Sequence, residues 1–174
     1  MKNILFFFSV TVSFLSCTDK NNGLGNVDAY VPLYANKQDA TQISWQSPQA
    51  IVNGGKIATI GNRLYQVEED KGIHVIDISK PTAPVKIGFI KNSLCRELSL
   101  KGNYIYTNNL TDLVVLDVSS TNTVTLTSRI SNAFPDLVLQ YPPATNCYFE
   151  CADPVKGIVI QWNLQQVDNP KCKR

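Results

Sequence analysis

The chain has 174 residues, with 16 Lys and Arg against 14 Asp and Glu, and a single histidine. Near-neutral charge without a run of basic residues argues against a nucleic-acid-binding surface. One histidine removes most metal-site and triad chemistries, so no metal and no cofactor is implied.

The chain opens with Met1, Lys2 and Asn3, an apolar run over residues 4–15, then Ser16 and Cys17. That layout is an export signal. A membrane span needs about 20 apolar residues; this run has 12 and meets Thr18, Asp19, Lys20, Asn21 and Asn22 directly. Residues 1–16 are therefore expected to be a cleaved signal peptide. Phe14-Leu15-Ser16-Cys17 resembles the lipobox of bacterial lipoproteins, departing from it at Phe14, where Leu is usual, and at Leu15, where a smaller residue is commoner. The resemblance implies acylation of Cys17, and two or more acyl chains give stable anchoring where one does not. The alternative is an ordinary cysteine near an ordinary cleavage site. Residues 17–26, rich in Asn and Gly, would form a flexible tether, and the expected location is the cell envelope, anchored at the outer membrane and facing the periplasm or the surface. Removing residues 1–16 leaves 158, enough for one domain with a core.

Four cysteines follow Cys17: Cys95, Cys147, Cys151 and Cys172. In an exported chain they are candidates for disulfides, with three full pairings open. Were Cys147 and Cys151 in one extended strand they would lie roughly 13 Å apart, too far to bridge; in a tight turn they would be natural partners. Zinc is disfavoured, because Cys147 and Cys151 have no matching second pair.

The main structural signal is a repeat. Residues 57–65 and 98–106 both carry Gly-Asn between apolar segments, and Gly61 and Gly102 are 41 positions apart. Residues 72–79 and 112–119 continue in step, with Asp77 and Asp117 now 40 apart. A period near 40 built from short strands signals blade or array architectures. The first copy parses into strands at 56–60, 64–67, 73–78 and 85–90, and the second into 97–100, 104–107, 113–118 and 125–130, with hairpin turns at Gly-Asn. In the third strand of the first copy Ile73 and Val75 point one way and Ile76 and Ile78 the other, so the strand must be covered on both faces. Asp77 and Asp117, each followed two residues later by Ser, read as structural acceptors for turn N–H groups.

A partial third copy is expected near 137–164. Residues 148–151 and 157–162 would be its second and third strands and 137–141 its first, with no convincing fourth strand after Leu164. The fold class is thus all-β, with two to three four-stranded antiparallel blade-like repeats in a domain covering 27–174 and copies near 56–90, 97–130 and 137–164. Too few strands are present to close a ring. An open stack with partial closure is preferred over a ring completed by a second copy. An extended segment at 29–34 is available to complete the last blade, and Pro32 would favour an edge position there.

The segments His74-Val75-Ile76-Asp77 and Leu113-Val114-Val115-Leu116-Asp117, each followed by Ser, resemble the strand for which the LVIVD-repeat proteins are named. The likeness covers roughly residues 48–162 and includes Cys147-Tyr148-Phe149-Glu150-Cys151, which looks like a terminal signature of Bacteroidetes-type envelope proteins. It implies a β-propeller-like body at the cell envelope and transfers no catalytic residues.

His74 stands where the second copy has Val114, so it reads as a packing residue. Glu68, Glu69 and Asp70 read as a solvated turn. The tail Lys171-Cys172-Lys173-Arg174 reads as solvated. Tyr30, Tyr34, Trp45, Tyr141 and Trp162 are candidates by type for glycan contact and equally for the core. The function expected is a non-catalytic, lipid-anchored scaffold that binds an envelope protein or glycan, with a homo-oligomer as an option. The alternative is an envelope hydrolase with an unrecognised site, Asp77 or Asp117 beside another carboxylate.

Overall fold

A computed structural model describes residues 23–135 and 140–174. In chain order it contains β1 (Asn26–Ala35), α1 (Lys37–Thr41), β2 (Ser44–Gln46), β3 (Gly54–Ile60), β4 (Arg63–Glu68), β5 (Gly72–Asp77), β6 (Val85–Lys91), β7 (Ser99–Lys101), β8 (Tyr104–Asn109), β9 (Asp112–Asp117), β10 (Thr125–Ile130), β11 (Tyr148–Phe149), a 3-10 turn (Pro154–Lys156), β12 (Ile158–Asp168) and β13 (Cys172–Lys173). The expected signal peptide, Cys17, tether residues 17–22 and the 137–139 part of the strand expected at 137–141 lie outside the described residues.

Turn chemistry places the strands. Gly61 and Gly102 take φ of +54° and +57°, joining Ile60 to Arg63 and Lys101 to Tyr104 across two-residue turns. A positive φ at the first central position suits a type II′ hairpin, and glycine reaches it without a Cβ clash. From these turns grow two antiparallel sheets, ordered β2-β6-β5-β4-β3 and β10-β9-β8-β7. The strands of both repeats form where the sequence placed them. The first sheet adds β2 as a fifth strand beside β6, where Trp45 pairs with Ile90 and its indole crosses the bare backbone of Gly88.

The two sheets stack with the same sense. Tyr65, Val67, Ile73, Val75 and Ile90 of the first face Ile105, Val114, Leu116 and Val118 of the second, all buried in one cluster. Period-2 alternation explains the choice: in β5, Ile73 and Val75 share a face, and in β9, Val114 and Leu116 do. Each such side chain contributes about 1.5–3 kcal/mol on burial. The rim is polar, with Lys56 against Glu97, Arg96 bidentate on Asp70 at 2.7 and 3.1 Å, and Arg63 Nη1 donating to the carbonyl of Val118 at 3.1 Å.

The third sheet, ordered β12-β1-β11-β13, differs from a third copy in sequence order. The segments expected to be neighbours, β11 and β12, are separated by β1, which runs parallel to β11 and antiparallel to β12. The N-terminal strand therefore completes this sheet. Pro32 pairs with Trp162 but lies beyond the two residues that meet β11, so its missing N–H costs no bond on that flank. Asn26 belongs to β1 rather than to a tether, and Gly25 N–H donates to Asn169 Oδ1 at 3.1 Å. The polar residues after Leu164 also correct the expectation: β12 runs on to Asp168, because β1 offers a partner along its whole length. The terminal basic segment is not a solvated tail either. Cys172 and Lys173 form β13, Arg174 N–H donates to the carbonyl of Cys147, and Lys173 lies 5.3 Å over the Tyr148 ring.

Replacing Leu116 by Ala at the sheet stack should cost about 2–5 kcal/mol. Leu126→Ala, on the exposed neighbouring strand, should cost under about 1 kcal/mol. Urea titration of both variants checks the difference.

Candidate functional site

The charged residues singled out in the sequence separate into two kinds. Asp77 and Asp117 each accept the N–H of the serine two residues on, both at 2.8 Å. Those backbone bonds, with the Ser hydroxyls, hold both carboxyls below their ordinary value. They are closing acceptors of matching turns, at corresponding points of the two repeats.

The solvated-turn reading of Glu68, Glu69 and Asp70 fails for Glu68, while Glu69 is exposed and Asp70 half-buried on the turn. Only 2% exposed, Glu68 accepts N–H groups from Val52 at 3.0 Å and Asn53 at 2.7 Å, and its Oε2 lies 3.0 Å from His74 Nε2. Glu69 accepts from the Asn53 side chain, and Asp70 pairs with Arg96. The reason is topological. β2 and β3 lie on opposite edges of the first sheet, so residues 47–53 must cross the face that the second repeat does not cover. Lys86 Nζ holds this strap at the Gln49 carbonyl and Glu68 holds its far end. His74, fully buried beside the Phe89 ring at 5.0 Å, fixes the Glu68 carboxylate. Burial pushes the Glu68 carboxyl up, but the bonds from His74, Asn53 and Val52 outweigh it and leave the pKa lowered. In the second repeat Asn109 occupies the place of Glu68 and does corresponding work, donating to the carbonyl of Ala40 at the end of α1. Arg129 completes that clasp with bonds to Asp112 (2.7 Å), Asn109 Oδ1 (2.8 Å) and the Thr41 carbonyl (3.1 Å).

These clasps set α1 and the third sheet against the loop end of the repeats, and a cleft opens there. It has a volume near 520 Å³ and a mainly apolar lining that includes Leu94, Leu110, Tyr141, Phe149, Ala152 and Ile158. Leu94 and Leu110 both take positive φ, +56° and +54°, a conformation costing about 1–2 kcal/mol for a side chain of this kind. It is repaid by burial in a cluster with Ala40, Ile158 and Ile160. On the far wall Asp153 caps the 3-10 turn by accepting from Val155 N–H at 2.9 Å, and its own N–H donates to Tyr34 Oη at 2.7 Å. Gly157, at φ +121°, passes so close to the Ala35 carbonyl that no Cβ would fit.

Cysteine pairing rigidifies this wall. Cys151 is bonded to Cys172 with Cα atoms 5.4 Å apart, whereas Cys95 and Cys147 are free thiols. Cys147 and Cys151 flank β11 and do not bridge each other. Burial pushes the Cys95 thiol up to about 11, so it stays protonated and inert. Among the described residues no group of three or more His, Cys, Asp or Glu is placed to hold a metal ion.

Of the five aromatic candidates, three have side chains engaged in the fold. Trp45 packs on the core and Tyr34 anchors Asp153. Trp162 meets Phe149 edge-on at 5.6 Å, and Tyr30 is half-buried on β1. Tyr141 alone is well exposed, at the cleft mouth, with the Arg174 guanidinium 5.7 Å over its ring. Sequence reasoning did not find Leu94 and Leu110, because nothing in a leucine announces a left-handed backbone.

Two outcomes follow. Cys172→Ser opens a loop whose ends are 21 positions apart and should cost about 3 kcal/mol, read as a lower urea midpoint than that of the oxidised chain. The second concerns acid. Arg129 and the Asn132 N–H outweigh burial and lower the Asp112 pKa, as bonding does for Glu68. Groups depressed in the folded state stabilise it above the ordinary carboxylate range and lose that contribution as pH falls through this range. The urea midpoint should drop between pH 6 and pH 3, with a smaller drop for Asp112→Asn.

Residues 54–91 and 95–131 each match the model of the LVIVD repeat. No curated protein and no solved structure matches the chain. The two stacked sheets therefore contain the two segments that match the LVIVD repeat, the first bounded by the strap and the second joined to the third sheet.

Proposed function

We propose that this chain is a non-catalytic scaffold of the cell envelope, lipid-anchored through Cys17, whose cleft binds an apolar segment of another envelope protein. The cleft carries this reading. Its lining is mainly apolar, its walls are fixed by the Cys151–Cys172 bond and the Arg129 clasp, and its mouth carries Tyr141. Binding sites commonly combine such a largely preformed apolar surface with a few orienting polar groups. A protein segment suits it better than a glycan. Glycan sites need exposed aromatic faces bordered by polar side chains, and of the five candidate aromatics Tyr141 alone is well exposed.

Anchoring and binding test separately. Cys17→Ser should abolish labelling by a radiolabelled fatty acid and release the chain from membranes; continued labelling would refute the anchor. For the cleft, Ala152→Trp should fill the space and reduce fluorescence enhancement of the apolar probe anilinonaphthalene sulfonate several-fold. Equal enhancement in both proteins would place the probe elsewhere and remove the support for the site. Ester, glycoside or peptide turnover that disappears in Asp77→Asn would overturn the non-catalytic reading.

A further inference from the structure

The edges of the three sheets are not alike. β2 and β7 have three residues each and β13 has two, too short to template another strand. β3 carries Gly54, Gly55 and Lys56 with a register break, and β10 carries Arg129 and another break. Short length, bulges and charge are the usual protections of a free edge. β12 lacks short length and bulges over its outer part and carries one charge there, Asp168 at its very end. Among the described residues it is an edge strand of 11 residues, paired only with β1. From Gln161 to Asp168 its register with β1 is unbroken. That stretch reads Gln-Trp-Asn-Leu-Gln-Gln-Val-Asp, with no Lys, Arg, Glu, Pro or Gly.

Alternate backbone N–H and C=O groups of this stretch point away from β1 into a flank with which no described strand pairs. Its side chains are mostly exposed, and Leu164, at 59%, is the largest apolar one among those left outside.

We infer that β12 is the contact by which two copies of this chain associate, edge to edge and antiparallel about Leu164, joining their third sheets into one of eight strands. The sequence of the edge selects a second copy as occupant. With Leu164 opposite its own counterpart, Asn163 faces Gln165, Trp162 faces Gln166 and Gln161 faces Val167. The exposed leucine is then covered by its mate, side-chain amides meet amides, and no like charges oppose each other, since Asp168 falls opposite Ile160. Such an isologous pairing satisfies both edges at once and closes as a dimer. The inference does not depend on the cleft, which is lined by other residues apart from the start of β12.

Cross-linking of the full chain in its membrane tests the register. Facing residues of an antiparallel pair have Cβ atoms about 4.5–5.5 Å apart. In a Cys147→Ser background, Leu164→Cys should give a dimer on copper-phenanthroline oxidation, and Leu126→Cys on the exposed β10 strand should not. Sedimentation of the detergent-solubilised chain should show a dimer, and Leu164→Lys, which sets two ammonium groups face to face, should raise its dissociation constant at least about tenfold with an unchanged circular dichroism spectrum. A monomer at tens of micromolar, or equal cross-linking at positions 164 and 126, would overturn the inference. The monomeric result would leave the edge available to an extended segment of a different protein.

Discussion

The structure depends on the packing of one repeat's sheet onto the opposite face of the next. Ile73 and Val75 meet Val114 and Leu116, and each repeat contributes a different face. A single sheet whose third strand is apolar on both faces would leave one apolar face wet. Two stacked in the same sense bury one interface but leave two outer faces unresolved. Much of the remaining sequence deals with those faces and with the loop end of the stack.

The strap answers the outer face of the first repeat. Where residues 47–53 cross it, the N–H groups of Val52 and Asn53 turn inward onto the buried Glu68 carboxylate, and a hydrogen bond to a charged group contributes about 1.5–3 kcal/mol. Glu68 supplies the acceptor, and His74 supplies a partner for Glu68. That accounts for a histidine at a position which the second repeat fills with Val114. The second repeat packs on a neighbouring sheet and needs no such acceptor, so the position stays aliphatic. At the loop end Asn109, Asp112 and Arg129 perform a related task, seating α1 and through it the third sheet.

The parts of this arrangement legible in the sequence were those written in local chemistry. The Gly-Asn turns, the alternation in β5 and β9 and the Asp-x-Ser closures all depend on residues close in sequence, and they form as read. The third sheet was legible only in part: the extended segment at 29–34 does complete it, but its order is non-local, with β1 between β11 and β12, strands more than 110 residues away from it in the chain. Polar residues 165–168 gave no strand pattern, since a partner strand rather than burial holds them extended. Glu68 looked like a surface charge because a buried carboxylate and an exposed one are the same letter. The strap that buries it is visible only once β2 and β3 stand on opposite edges. The cleft was hidden for a similar reason, its floor being two leucines in a backbone conformation that no sequence signal marks.

If the stack is the structural unit, its two repeats must open together. Native-state hydrogen exchange tests this directly at the amides of Val75 and Val114, the two buried third strands. Equal opening free energies, matching global unfolding, are the result expected of one cooperative core. Exchange from one repeat at a free energy several kcal/mol below the other would contradict it.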